Sequence, residues 1–291
     1  MGVHQSIQTM EALRKKCLWG KRIMVLPFII MFPLMMLTMF MGPAAGALIM
    51  FAMMAVMVLV VIMAIMVNSW TREFKMIYKE MFTKEVLAEL LGDVDFNWQK
   101  GFTSQFVSSF GIVNMGNRFD SSDYVKATYK GVEFMQSDVV VKHYSGGKNK
   151  HTTTYFRGKM MKFSFPKKDI LSLQIFTDNF GHRAYLGYQA KKIEMEDVEF
   201  NRVFDVKSVN EHDAFYVLTP PFMERLKILA NKYPSVGIHL CRGEMYIAIN
   251  TNRDTFDADL RQEIIYPRER ARMQEDVQDI MDIIDALEMG E

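Results

Sequence analysis

The residues of this chain best placed to do chemistry are basic. Between positions 139 and 168 lie Lys142, Lys148, Lys150, Arg157, Lys159, Lys162, Lys167 and Lys168, with His143 and His151 and not one Asp or Glu. Cations without counter-charge attract anions: a phospholipid surface, an acidic partner or a phosphorylated ligand. Each base held near an anionic leaflet is worth about 1 kcal/mol. Lys142, Lys148, Lys150, Arg157, Lys159 and Lys162 are therefore the candidate contact residues. The same pattern fits outward strand positions around a solvated Ser145-Gly146-Gly147 loop.

Other chemistry is sparse. The sequence holds no phosphate-binding glycine loop, no Gly-x-Gly-x-x-Gly, no Gly-x-Ser-x-Gly, no His-Glu-x-x-His and no Cys-x-x-Cys. His143, His151, His182, His212 and His239 show no ligand spacing, and Glu194, Glu196, Asp197 and Glu199 lack the glycine turn of a calcium loop. Cys241 sits in an apolar run and reads as a buried small residue. No catalytic residue, metal site or cofactor is assigned on this basis. An enzyme acting on a membrane-linked substrate is the alternative reading, and it requires a pocket that gathers Asp178, His182, His212 and Asp213, or a similar set.

The elements that must position these residues follow from the distribution of charge. The chain has 291 residues, 35 Lys and Arg against 34 Asp and Glu, and two cysteines. That balance argues against a nucleic-acid binder, and two cysteines cannot build a disulfide framework. Yet residues 23–67 contain no charged side chain. Two apolar stretches, 23–41 and 44–67, would span about 28 and about 36 Å as helices, against a hydrocarbon core of roughly 30 Å. Gly42-Pro43 between them forces a hairpin. Arg14, Lys15, Lys16, Lys21 and Arg22 precede it, and Arg72, Lys75 and Lys79 follow. The positive-inside rule then places both termini in the cytoplasm, with Trp19 and Trp70 at the interface. Twelve of the 26 methionines fall in this stretch, where they serve as flexible apolar filler rather than a soft-metal path.

Beyond the hairpin, residues 68–92 carry a helical apolar period through Phe74, Ile77, Tyr78 and Met81, with Thr83 offering a cap for a second helical piece. Residues 93–123 read as irregular. Alternation through Val125, Ala127 and Tyr129, through Met161, Phe163 and Phe165, and through Leu171, Leu173 and Ile175 predicts antiparallel strands with one wet face, and Gly131 predicts a bulge. Thr219-Pro220 opens a helix with Phe222, Leu226, Leu229, Ala230 and Tyr233 inward. Arg242-Gly243 marks a hairpin. A last helix from Pro267 carries Met273, Val277, Ile280, Ile284 and Leu287 at four- and three-residue steps. That stripe fits packing on its own domain, or self-association through Val277, Ile280, Ile284 and Leu287. The expected fold class is α+β. A cytoplasmic segment 1–22 leads into a transmembrane hairpin 23–67 and a helical stalk 68–92. A mainly antiparallel cytoplasmic domain 93–266 and an amphipathic helix 267–291 follow.

Several phrases together resemble a known family. They are Ser121-Ser122-Asp123-Tyr124, Tyr129-Lys130-Gly131-Val132-Glu133-Phe134, Phe156-Arg157-Gly158-Lys159, Glu196-Asp197-Val198-Glu199-Phe200-Asn201 and Ala214-Phe215-Tyr216-Val217-Leu218-Thr219-Pro220. The family is the bacterial domain of unknown function 3137, sometimes labelled galanin-like. The resemblance implies a two-span protein of the bacterial inner membrane with a cytoplasmic domain, no assigned catalytic residues, and a LemA-type membrane protein as a candidate partner. Together the readings point to a module that binds or scaffolds at the inner leaflet. Membrane lipids are its expected contacts, and an accessory subunit of a membrane complex is a further alternative.

Overall fold

The computed structural model describes residues 3–38, 43–147, 150–167, 169–184 and 190–287. Packing divides the chain into two compact units. One holds the chain up to Thr83 with Asp257–Arg272, and the other holds Lys84–Phe256 with the chain from Met273 onward. The division at Asp257 falls within the stretch 93–266 that the sequence suggests as one domain.

The first unit is helical. α1 (Val3–Ile23) and α2 (Leu26–Thr38) are nearly continuous and bend at Met24-Val25. Pro27 explains the bend, because it has no N–H to donate and its ring crowds the carbonyl four residues back. α3 (Pro43–Tyr78) is followed by a π-helical turn, Lys79–Lys84. The expected Gly42-Pro43 joint lies in part outside the described residues. Two helical stretches, Gln5–Met36 and Gly46–Leu91, are long and apolar enough to cross a membrane by length and composition. In the most apolar window of the second, 0% is buried within the chain. α1 packs along the later part of α3. Cys17 is buried there, Thr71 Oγ1 lies 3.6 Å from its Sγ, and a β-carbon at Gly20 would collide with the Val67 side chain.

Polar groups take over where the apolar stretch ends. Asp257 binds Lys75 and Lys79, each at 2.9 Å, and Tyr78 donates to Glu269 at 2.7 Å. Rings of Phe74, Tyr78, Phe82 and Tyr266 follow one another with centroids 5.0–6.0 Å apart. Thr83 does not cap a second piece: it is buried inside the π-helical turn, and the helix runs on into α4 (Glu85–Leu91) without a side-chain cap.

The second unit is built on an antiparallel nine-stranded sheet, among the described residues, in the order β1-β2-β3-β4-β9-β8-β5-β7-β6. Its strands are β1 (Val94–Asn97), β2 (Arg118–Tyr129), β3 (Val132–Ser145), β4 (His151–Ser164), β5 (Leu173–Thr177), β6 (Lys191–Ile193), β7 (Phe204–Ser208), β8 (Val236–Cys241) and β9 (Glu244–Ile249). The helices are α5 (Ser104–Ser109), α6 (Val198–Val203), α7 (Glu211–Val217), α8 (Pro220–Lys232) and α9 (Tyr266–Ala286). α9 contributes its residues from Met273 onward to this unit.

Several expectations change here. Residues 93–123 are not irregular: they contain β1, α5 and the start of β2. Gly131 is not a bulge but the second residue of a tight hairpin turn, with φ 48° at Lys130 and 79° at Gly131. Those angles match the turn whose twist suits a hairpin. The register shift lies instead between Ser122 and Val125, where Asp123 has φ 57°. The central strands have no wet face, since all five residues of β5 are buried. Leu171 lies outside β5 and is exposed. One face carries Val139, Val141, Phe156, Met160 and Ala248 against Phe102, Val107, Phe110 and Ile112 from α5 and its loop. The other carries Met161, Phe163, Ile238 and Ile247, with the inward stripes of α8 and α9 also buried. Val277, Ile280, Ile284 and Leu287 are 0–3% exposed, so this stripe is consumed within the chain and is not free for self-association as it stands. The Arg242-Gly243 hairpin occurs as expected.

Burial pushes the Asp257 carboxyl up, but Lys79 and then Lys75 outweigh it and hold the pKa below its ordinary value. Replacing Asp257 with Asn removes the carboxylate 2.9 Å from the Lys79 ammonium, whose side chain is 3% exposed. In detergent the full-length Asp257→Asn variant should lose about 3–5 kcal/mol. Lys75→Ala, at a side chain 44% exposed, should cost under about 1 kcal/mol. Because the folded pKa is depressed, the stabilisation is present above about pH 4 and disappears as pH falls through the lowered value. A thermal midpoint unchanged in Asp257→Asn would refute this role.

Candidate functional site

The register of β3 on β4 decides where the candidate cations point. Side chains alternate along a strand, so Arg157 and Lys159 share the face of Phe163, while Lys162 shares that of Met160. Lys159 is 1% exposed and meets Asp279 of α9 at 3.4 Å, which withdraws it from any surface contact. Lys162 pairs with Glu244 on β9. Arg157 makes a two-pronged pair with Asp254 at 2.8 and 3.2 Å. Lys150 is exposed, and Lys142 is half-buried. Lys148, like Lys168, lies outside the described residues. The candidate residues therefore do not form one continuous basic face.

What remains is a groove of about 320 Å³ lined by Arg118, Phe119, Asp120, Val140, Lys142, Arg157 and Asp254. Its floor follows from register: Asp120, Val140 and Arg157 lie in one row across β2, β3 and β4, and Arg118 and Lys142 lie in a neighbouring row. Asp254 neutralises Arg157, and Arg118 sits 5.1 Å from the Tyr144 ring centroid. Arg118 and Lys142 thus leave a net positive mouth, suited to a carboxylate or phosphate group. The sequence did not single out Arg118, Asp120 or Asp254, because the pairing that brings them to Lys142 and Arg157 is non-local.

Beneath α9 lies a buried polar cluster that the sequence also did not reveal. Asp138 is 3% exposed, and its Oδ2 accepts from the Thr255 N–H. Its Oδ1 and both polar atoms of Gln136 have no hydrogen-bond partner among the described residues. Asp123, 1% exposed, accepts from the Ser122 hydroxyl at 3.1 Å. Burial, and then the Asp123 charge, push Asp138 up to about 8; Thr255 and Lys159 offset only part of that.

The remaining candidates have structural partners. Asp197 caps α6 by accepting from the Phe200 N–H at 3.0 Å and pairs with Lys227, while Glu194, Glu196 and Glu199 are exposed. No cluster of three or more His, Cys, Asp or Glu able to hold a metal occurs among the described residues. His239 is buried between Phe110 O at 2.7 Å and Ser172 Oγ at 3.0 Å, and burial lowers its pKa, which favours neutral imidazole. Burial raises the Cys241 thiol, which disfavours the thiolate. Asp178, His182, His212 and Asp213 each have partners outside the set. His182 stacks on Tyr155 at 4.0 Å, His212 stacks on Tyr216 at 6.2 Å, and Asp213 accepts from the Leu171 N–H and the Asn210 amide. Asp178 contributes backbone contacts to Val203 and Arg183.

Comparison with known proteins adds one decisive finding. Residues 154–289 match the family described as protein of unknown function (DUF3137). That segment is a DUF3137 segment. No curated protein matches the chain. The crystal structure of the mycobacterial trehalose monomycolate transport factor A, TtfA, is similar over 67% of this chain and 88% of that one. It does so at 8% identity and a TM-score of 0.34, too low to carry an argument.

The DUF3137 segment starts within β4 and ends beyond α9, so it supplies Arg157, Lys159, Asp254 and Asp279. Arg118, Asp120, Asp123, Asp138 and Lys142 come from the strands before it. Both the groove and the buried cluster are thus assembled by pairing β3 with β4 across the start of the segment.

Asp138 takes up a proton on folding, since its folded pKa is raised. Its contribution is fully present below about pH 4 and is lost as pH rises through about 8. Asn mimics the neutral acid, so in Asp138→Asn the thermal midpoint should fall less than in wild type across that window. Parallel pH profiles for the two full-length proteins would contradict the assignment.

Proposed function

We propose that the chain is an integral protein of the bacterial cytoplasmic membrane. Its second unit, on the cytoplasmic side, is a binding or scaffolding module. The observation that supports this most directly is the exposure of large apolar side chains on α2 and α3. Phe32 is 68%, Leu48 72% and Phe51 66% exposed, with Ile29, Leu59 and Ile65 close behind. A water-soluble chain does not leave two whole helices of this kind uncovered, because each such side chain gains about 1.5–3 kcal/mol on leaving water. Hydrocarbon supplies the missing cover.

Orientation rests on flanking charge. Lys15, Lys16, Lys21 and Arg22 precede the uncharged stretch, and Arg72, Lys75 and Lys79 follow it. Basic residues on both flanks favour one side for both, and the positive-inside rule makes it the cytoplasm. The groove around Arg118 and Lys142 is then the natural contact for an acidic group on a partner.

Full-length protein should stay in the pellet when membranes are washed with alkaline carbonate. Protease should digest the second unit in inverted vesicles and spare it in right-side-out cells. Release by carbonate, or digestion from outside, would overturn the proposal.

A further inference from the structure

The first unit carries two hollows that follow one another along the α1–α2 run. On α1, Lys15, Lys16, Leu18, Trp19 and Arg22 line an open hollow. The spacing 15, 18, 19 and 22 puts most of it on one helical face. Immediately beyond, Ile23, Leu26, Ile30 and Leu34 of the α1–α2 run face Ala52 and Val56 of α3 across a second hollow of about 260 Å³. That lining presents no polar surface. The basic side chains end at Arg22, and the charge-free stretch begins at Ile23.

We propose that these hollows together bind one anionic phospholipid, its headgroup on Lys15, Lys16 and Arg22 and one acyl chain between α2 and α3. The inference rests on the membrane placement proposed above. Three observations select this occupant. First, the cations are available: Arg14 is bound to Glu11 and Lys75 to Asp257, but Lys15 lies a loose 3.8 Å from Glu11 and is 71% exposed. Lys16 and Arg22 are exposed, with no acidic partner among the described residues. Second, the depth fits a lipid. From Ile23 to Leu34 the helical rise covers about 17 Å, near half of the roughly 30 Å hydrocarbon core. Third, Trp19 is 59% exposed beside the cations, as an indole at the headgroup level should be.

The test uses full-length protein in nanodiscs of phosphatidylcholine with a minor fraction of phosphatidylglycerol, released into the gas phase to count retained lipids by mass. Wild type should retain one phosphatidylglycerol with a preference of at least about tenfold over phosphatidylcholine. The triple variant Lys15→Gln, Lys16→Gln, Arg22→Gln should keep a bound lipid but lose the preference for the anionic one. Ala52→Phe should fill the apolar hollow and lose the lipid while the protein remains in the disc. No preference in wild type, an unchanged preference in the triple variant, or a two-copy species with no lipid would each overturn the site. Failure of the membrane placement itself is distinct, because the protein would then not enter the discs.

Discussion

A charge-free stretch, residues 23–67, sets the terms for the rest of the molecule. Its two helices bury little of themselves, so their apolar surface needs a covering from outside the chain. The backbone within such helices satisfies its own hydrogen bonds, which suits them to hydrocarbon, and their apolar side chains make them poorly suited to water. Polar pairing then begins at the margins. Arg14 binds Glu11 and Lys75 and Lys79 share Asp257, while Tyr78 reaches Glu269. Those contacts draw residues 257–272 back to the first unit, although the sheet strands lie between them in sequence.

The second unit obeys a different constraint. A nine-stranded sheet covered on both faces leaves its central strands no solvent side. Polar side chains that point inward must find partners in the interior or stay neutral. Lys159 finds Asp279, and His239 finds Phe110 and Ser172. Asp138 finds only one donor for two oxygens, and Asp123 stands near it, so the proton is retained. The buried cluster is thus a consequence of double coverage.

Much of this fold was legible in the sequence, and the failures share a cause. Local signals held: the turn at Arg242-Gly243, the Pro220 helix start and the stripe of the last helix all occur. The α+β class followed from those periods. What failed depended on partners distant in sequence. Alternation through Leu171, Leu173 and Ile175 suggested one wet face, but Gln174 between them is buried and donates to the Gly111 carbonyl, and nothing near Gln174 announces Gly111. Gly131 looked like a bulge because a lone glycine in an alternating run permits either reading; pairing of β2 with β3 made it a turn. The candidate basic face counted cations along one stretch, whereas strand alternation sends Arg157 and Lys162 to opposite sides. Arg118 and Asp254 were invisible because only the sheet brings them to Lys142 and Arg157.

Pairing also separates the two regions of positive charge. In the second unit, Arg157, Lys159, Lys162 and Arg183 each meet a carboxylate: Asp254, Asp279, Glu244 and Asp205. Their sequence neighbourhood looks strongly basic, yet their field is largely cancelled at short range. On α1 the opposite holds, since Lys16, Lys21 and Arg22 are exposed and Glu11 is already engaged by Arg14. Net charge counted along a sequence therefore misplaces the attraction for anions. An exposed cation without a counter-ion keeps its reach over about a Debye length, roughly 8 Å at physiological salt, whereas a paired one acts mainly on its partner. By that criterion the end of α1, beside the first uncharged residue, is one place among the described residues that keeps its attraction for anions, and the groove at Arg118 and Lys142 is another.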